Sequence, residues 1–144
     1  ASTLTTTAFA ERAADLASKY GFNIDIWEEK QIRSHHMGGI LGVNAGSVQA
    51  PYFLVLEHKP KKPIHEQPIV LVGKGVVYDT GGYSLKPADS LDWMKCDMAG
   101  GAAVLAATCY LAAMKSSIHL ITLIPLTDNR LDGDALVPGD VITI

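Results

Sequence analysis

The run Ile69-Val70-Leu71-Val72-Gly73-Lys74-Gly75-Val76-Val77-Tyr78-Asp79-Thr80-Gly81-Gly82-Tyr83-Ser84-Leu85-Lys86 joins four apolar, largely β-branched residues to a glycine-rich segment carrying two lysines and an aspartate. The first four residues are bounded by Pro68 and Gly73 and read as a short strand covered on both faces. Residues 99–115 come next as an apolar, alanine-rich stretch of helix length, and Ile118-His119-Leu120-Ile121-Thr122-Leu123-Ile124 reads as a second strand. Strand, helix and strand in succession predict an α/β fold with a mixed, largely parallel sheet and flanking helices.

Upstream, Phe9, Ala13, Leu16, Ala17 and Tyr20 draw one apolar face at helical period, and Gly21 ends that helix. Residues 23–27 alternate polar and apolar as a half-buried strand does, and residues 28–33 suit a short polar helix. Residues 37–47 hold four glycines and read as a loop with room for one helical turn. Residues 51–57 form another short apolar strand. The prolines at 60, 63 and 68 mark a loop and not a domain boundary.

The chain has 144 residues, a length that predicts one domain. Its 48% apolar content can form a core, and its 19% charged content excludes a solvated, disordered polymer. A net charge of −3 leaves no basic footprint for nucleic acid. Lys59, Lys61 and Lys62, the one basic cluster, sit among prolines as a solvated loop. Two cysteines are too few for a disulfide framework, and a reducing, cytoplasmic setting is expected. The longest apolar run, residues 99–114, falls short of the ~20 residues needed to cross a bilayer and reads as a buried helix, so no membrane partner is expected.

Gly73-Lys74-Gly75 alone reads blandly, as a turn with a solvated lysine. A phosphate-binding loop is excluded because no Ser or Thr follows Lys74, and a dinucleotide fingerprint because Tyr78 stands where its third glycine belongs. The neighbouring charges call for more: Asp79 and Lys86 lie just beyond, and Asp97 precedes the alanine-rich helix. Asp97 is placed to cap that helix, a role compatible with pointing at a ligand. Gly100, Gly101, Ala102, Ala103 and Ala106 give the helix a small-residue face for close packing on the sheet. Carboxylates beside glycine turns suit a hard divalent cation. A lysine ligates only as the neutral amine. From a pKa near 10.4 that costs roughly 4–5 kcal/mol at pH 7, so burial and an adjacent cation are needed.

At this point residues 72–87 resemble the metal-binding stretch of the leucine aminopeptidase (cytosol aminopeptidase) family almost position by position, including the spacings from Lys74 to Asp79, Lys86 and Asp97. Residues 37–47 and 51–57 are similar to the family's lead into the catalytic sheet. Pro125-Leu126-Thr127-Asp128-Asn129 and Pro138-Gly139-Asp140-Val141 are similar to its continuation. The resemblance implies a dinuclear metalloaminopeptidase that removes the first residue of peptides with a free amino terminus. Its cofactors would be two divalent ions, manganese or zinc, with magnesium or cobalt as further candidates. Lys74, Asp79 and Asp97 would be metal ligands, with Asp79 bridging and Asp97 near the substrate's amino group. Lys86 would be the electrophile that stabilises the oxyanion. Met94 would wall the pocket for the first side chain, or simply pack in the core. The family implies a homo-hexamer.

The family's later motif Asn-Thr-Asp-Ala-Glu-Gly-Arg, which supplies further metal carboxylates and an arginine, is not in this sequence, and neither is its separate amino-terminal domain. The expectation is the first portion of a catalytic domain, residues 1–144, with cut ends at Ala1 and Ile144, an apolar edge exposed near Ile144, and little activity by itself. The contrasting reading is a non-catalytic α/β structural or assembly module. No His-Glu-x-x-His or Gly-x-Ser-x-Gly pattern supports a zincin or a serine hydrolase. Cys96, beside Asp97, reads as an inward-packed small residue, with a thiol near the metal as the alternative.

Overall fold

A computed structural model describes residues 2–133 and 135–143. Helix α1 (Thr6–Tyr20) begins where the Thr5 side chain accepts the Ala8 amide at 3.0 Å and ends at Gly21, which adopts the left-handed conformation (φ 74°). Strand β1 (Asn23–Trp27), helices α2 (Glu29–Ser34) and α3 (Gly38–Asn44), and strands β2 (Tyr52–His58), β3 (Ile69–Val72) and β4 (Gly75–Asp79) come next. The one-turn helix α4 (Ala88–Leu91) and a 3₁₀ turn (Met94–Cys96) lead into α5 (Ala99–Ala113) and the long strand β5 (Leu120–Asn129).

The sheet is mixed. Its order is β1-β2-β5-β3, with β4 also on β5; β1 and β2, and β2 and β5, are antiparallel, whereas β3 and β4 run parallel to β5. The α5 crossover returns the chain to β5 beside its starting strands, as the strand-helix-strand order predicts. Alternation along the strands sends Leu54, Leu56, Val77, Ile124 and Leu126 to one face. There they meet Phe9, Ala10, Ala13 and Ala17 of α1 and Leu105, Cys109 and Ala112 of α5. Thr108 donates to the Val104 carbonyl at 2.9 Å and lies 2.7 Å from Thr122, so two buried hydroxyls tie α5 to β5 without an orphaned polar group. The opposite face carries α3, anchored by buried Ile40.

Four expectations change. Residues 38–44 form a helix, because burying Ile40 against the sheet outweighs the weak helix propensity of the glycines. The strand at residues 69–72 is not covered on both faces: Ile69, Val70 and Val72 are 45%, 50% and 68% exposed, and β3 pairs only with β5 among the described residues. Strand β5 runs on through Pro125 to Asn129. Gly73-Lys74 is therefore not a turn at a strand's end but a break between two strands on one partner. The expectation of cut ends at Ala1 and Ile144 lies outside the described residues.

The break has a physical cause. Between the pairs Val72–Leu123 and Gly75–Leu126 both strands advance by three residues, so the register carries through and Lys74 falls opposite Pro125. The Gly73 amide still donates to the Leu123 carbonyl at 3.0 Å. In a parallel ladder the carbonyl of that same residue takes its donor two positions further along the partner, which here is Pro125. Proline has no N–H to give, so the ladder lapses at this point. The next carbonyl, that of Lys74, accepts the Gly101 amide of α5 at 2.7 Å. Backbone meets backbone here: a Cβ on Gly73 would collide with the Val104 side chain and lie 2.6 Å from Gly100 O and 2.8 Å from Gly101 Cα.

By length and composition, the helical residues from Ala88 to Ala113 could cross a membrane. In this fold they are divided into α4, the 3₁₀ turn and α5, with one face of α5 packed on the sheet beside α1 and Tyr110 left exposed.

The Gly73→Ala variant is expected to lose about 1–3 kcal/mol of stability, the usual cost of overpacking. Urea melts of this variant and of Gly39→Ala, whose added Cβ meets nothing within 4 Å, check this. Equal midpoints would contradict the close approach.

Candidate metal and catalytic site

The helix docked on the strand break brings Asp97 to Lys74. Asp97 ends the 3₁₀ turn, and its Oδ2 lies 2.8 Å from Lys74 Nζ. That oxygen is sealed from solvent and has no hydrogen bond beyond the ion pair. The helix-cap expectation for Asp97 is not met: the capping position of α5 is Met98, without a side-chain hydrogen bond, and the Gly101 amide is satisfied by Lys74. Nor is the Lys74 side chain buried as an amine ligand was expected to be; it is 57% exposed.

Asp79 ends β4, the strand that resumes after the break. Its Oδ1 accepts the Gly81 amide at 2.9 Å and Asn129 Nδ2 at 2.8 Å, while Oδ2 is paired with the Lys86 ammonium. Gly81 and Gly82, with φ of 91° and 65°, turn the chain back so that the Lys86 amide donates to the Thr80 carbonyl at 2.9 Å. Lys86 Nζ also lies 3.2 Å from the Asp79 carbonyl and 3.2 Å from Met94 Sδ. Burial pushes the Asp79 carboxyl upward, but the hydrogen bonds from Lys86, Gly81 and Asn129 outweigh it and hold it below the usual carboxylate range.

Lys74 and Asp79 line one open cavity of about 400 Å³ with Asn129 and Thr127, walled by Ile40 and Val43 of α3. Two lysine–aspartate contacts thus converge at the strand break and the end of β4, the kind of location where α/β sheets collect ligands. Among the described residues, no group of three or more His, Cys, Asp or Glu side chains could hold a metal ion. A cation here would draw on the Lys74 amine as well as the carboxylates of Asp79 and Asp97. The sealed Asp97 oxygen, lacking any donor but a lysine, fits such a role, and the oxygen-rich donor set suits a hard or borderline divalent ion.

All five residues singled out in the sequence, Lys74, Asp79, Lys86, Met94 and Asp97, take part in this arrangement. Cys96 is exposed and not inward-packed. Sequence reasoning missed Asn129, which binds Asp79 directly. The signal was present in Thr127-Asp128-Asn129, a polar triplet closing an apolar strand.

Residues 1–144 match the model of the cytosol aminopeptidase family, catalytic domain. A probable cytosol aminopeptidase of Chloroherpeton thalassium is 44% identical over 140 residues, 97% of this chain and 27% of that protein. The fold also matches the apo leucyl aminopeptidase of Trypanosoma cruzi, with TM-score 0.83 and 36% identity over 92% of this chain and 26% of that one. The bottromycin maturation enzyme BotP in complex with Mn matches with TM-score 0.84 and 37% identity, over 96% of this chain and 30% of that one. The class is thus an aminopeptidase-type α/β fold. The chain belongs to the cytosol aminopeptidase family, and it spans about a quarter of the length of the curated relative it matches.

Behind the site, Asp128 is 1% exposed, with Arg130 Nε 3.1 Å from its Oδ2. Burial raises its pKa, and the opposing pull of Ser47 and Arg130 does not cancel the rise. The folded protein therefore holds this proton more tightly than the unfolded chain. The stability it contributes is complete below the unfolded pKa and is lost as pH rises through the folded one. Relative to wild type, Asp128→Asn is expected to gain stability as pH is raised from about 4. Urea midpoints measured across that range check the sign; a pH-independent difference would contradict it.

Proposed function

We propose that this chain carries the lysine-and-aspartate side of a metal-dependent, leucine-type aminopeptidase site, which acts on peptides with a free amino terminus. The observation that carries the reading is the convergence of Lys74, Asp97, Asp79 and Lys86, joined by two lysine–aspartate contacts and one shared cavity wall. Lys74, Asp79 and Asp97 would hold a cation, manganese or zinc, with Asp79 shared between two ions. Bound there, the ions supply Lewis acidity that activates water and polarises the scissile carbonyl.

The chain's own groups have separate roles. Asp97 offers its sealed oxygen to a cation, and its carboxylate lies near the place of the substrate's amino group. Lys86 is the catalytic residue: its ammonium, tethered to the Asp79 carbonyl and the Met94 sulfur, donates a hydrogen bond to the oxyanion that forms on the attacked carbonyl. Met94, beside that ammonium, borders the space for the first side chain. The Mn-bound state of BotP, at 37% identity, supports a cation of this type.

Three donors serve two cations poorly, so residues 1–144 by themselves are proposed to have little peptidase activity. They would form the first portion of a catalytic domain, working in a cytoplasmic homo-hexamer with the remaining length seen in the relatives.

The test is hydrolysis of a leucyl reporter by a polypeptide of the relatives' full length that contains this segment. Activity should rise on titration with Mn²⁺ or Zn²⁺. Lys86→Ala should lower kcat by about 10²-fold or more, the usual loss when an oxyanion donor is removed. Asp97→Ala should lose activity together with bound metal. Full activity in both variants would end the assignment.

A further inference from the structure

We infer that Asn129 is a positioning residue that fixes the Asp79 carboxylate for cation binding, an inference that rests on the reading of Asp79 as a ligand. Asp79 and Asn129 face each other at the ends of β4 and β5. Asn129 Nδ2 and the Gly81 amide both donate to Asp79 Oδ1, at 2.8 and 2.9 Å. Rotation of the carboxylate would break both bonds together. Oδ2 is therefore held in one direction, with Lys86 as its partner, and can exchange that ammonium for a cation without reorienting.

The amide that does this is itself held. The Asn129 backbone carbonyl accepts both the Thr80 amide, at 2.9 Å, and the buried Thr80 hydroxyl, at 2.8 Å. Gly82, at φ 65°, leaves room for the side-chain amide, because a Cβ there would stand 3.1 Å from Asn129 Oδ1. Asn129 also lines the cavity that Lys74 and Asp79 share. The geometry explains the residue type, since an aspartate at 129 would repel Asp79 and an aliphatic side chain would give Oδ1 no donor. Partners that orient a ligand in this way commonly govern metal affinity by about 10–100-fold.

Mn²⁺ binding to the 144-residue chain, followed by the electron paramagnetic resonance signal of the free ion, tests this. Wild type should bind and Asp79→Asn should not. Asn129→Ala and the near-isosteric Asn129→Leu should each weaken binding about 10-fold or more with little change in melting temperature. A purely structural role for Asn129 would lower the melting temperature and leave affinity untouched, which overturns the inference. So does wild-type affinity in both Asn129 variants when Asp79→Asn has lost binding, and the reading of the site then stands. Binding that survives Asp79→Asn, or is absent from wild type, removes the reading itself. Should the variants fail to fold, the unmodified chain serves. On addition of Zn²⁺, the Asn129 side-chain amide resonances should shift while those of Asn23 stay in place; unshifted Asn129 signals with Zn²⁺ bound overturn the inference.

Discussion

The hydrogen bond from the Gly101 amide to the Lys74 carbonyl is the contact on which the site depends. The strand ladder lapses at the Gly73 carbonyl beside Pro125, and the next carbonyl, that of Lys74, would cost roughly 1–3 kcal/mol if shut in without a donor. The start of α5 supplies the donor. To do so it must approach the strand backbone to contact distance, which explains glycine at 73, 100 and 101: a Cβ on any of them would come within 3.4 Å of the facing segment. The Lys74 carbonyl, next to the lapse, thus sets where the helix docks. The docked helix in turn sets where Asp97 meets Lys74.

The ion pairs at the site are poor candidates for stabilisers. Lys74 is largely exposed, and exposed pairs contribute about 0–1 kcal/mol. Lys86 and Asp79 are better shielded, and three donors gather on the Asp79 carboxylate, within the roughly four it can accept. Their arrangement makes sense as preorganisation: lysines balance the carboxylates, the glycine turn returns Lys86 to Asp79, and the sulfur of Met94 lies against the ammonium. The same α1 and α5 layer that forms the core backs the strands that carry these residues.

Much of the fold was legible because its signals are local. The apolar stripe from Phe9 to Tyr20 with Gly21 behind it, the alternation at residues 23–27 and the alanine-rich helix at 99–113 need only period and punctuation. The helix at 38–44 was not legible, since its glycines argue against it and only the burial of Ile40 on a surface made by distant strands argues for it. The exposure of β3 escaped for a related reason: an apolar run states what a strand can bury and not which neighbours it has.

For the site, the sequence by itself determined the chemical inventory: Lys74, Asp79, Lys86, Met94 and Asp97, in an order and spacing that resemble one family. Only the tertiary structure decided that Asp97 faces Lys74 and does not cap its helix, that Lys86 turns back onto Asp79, and that Asn129, 50 residues from Asp79 in the chain, holds that carboxylate. The reason is physical. Residue types and spacings constrain what a segment can do within a few residues of itself, whereas the direction of a carboxylate depends on donors delivered by strand register and helix docking, which exist only once the sheet has formed.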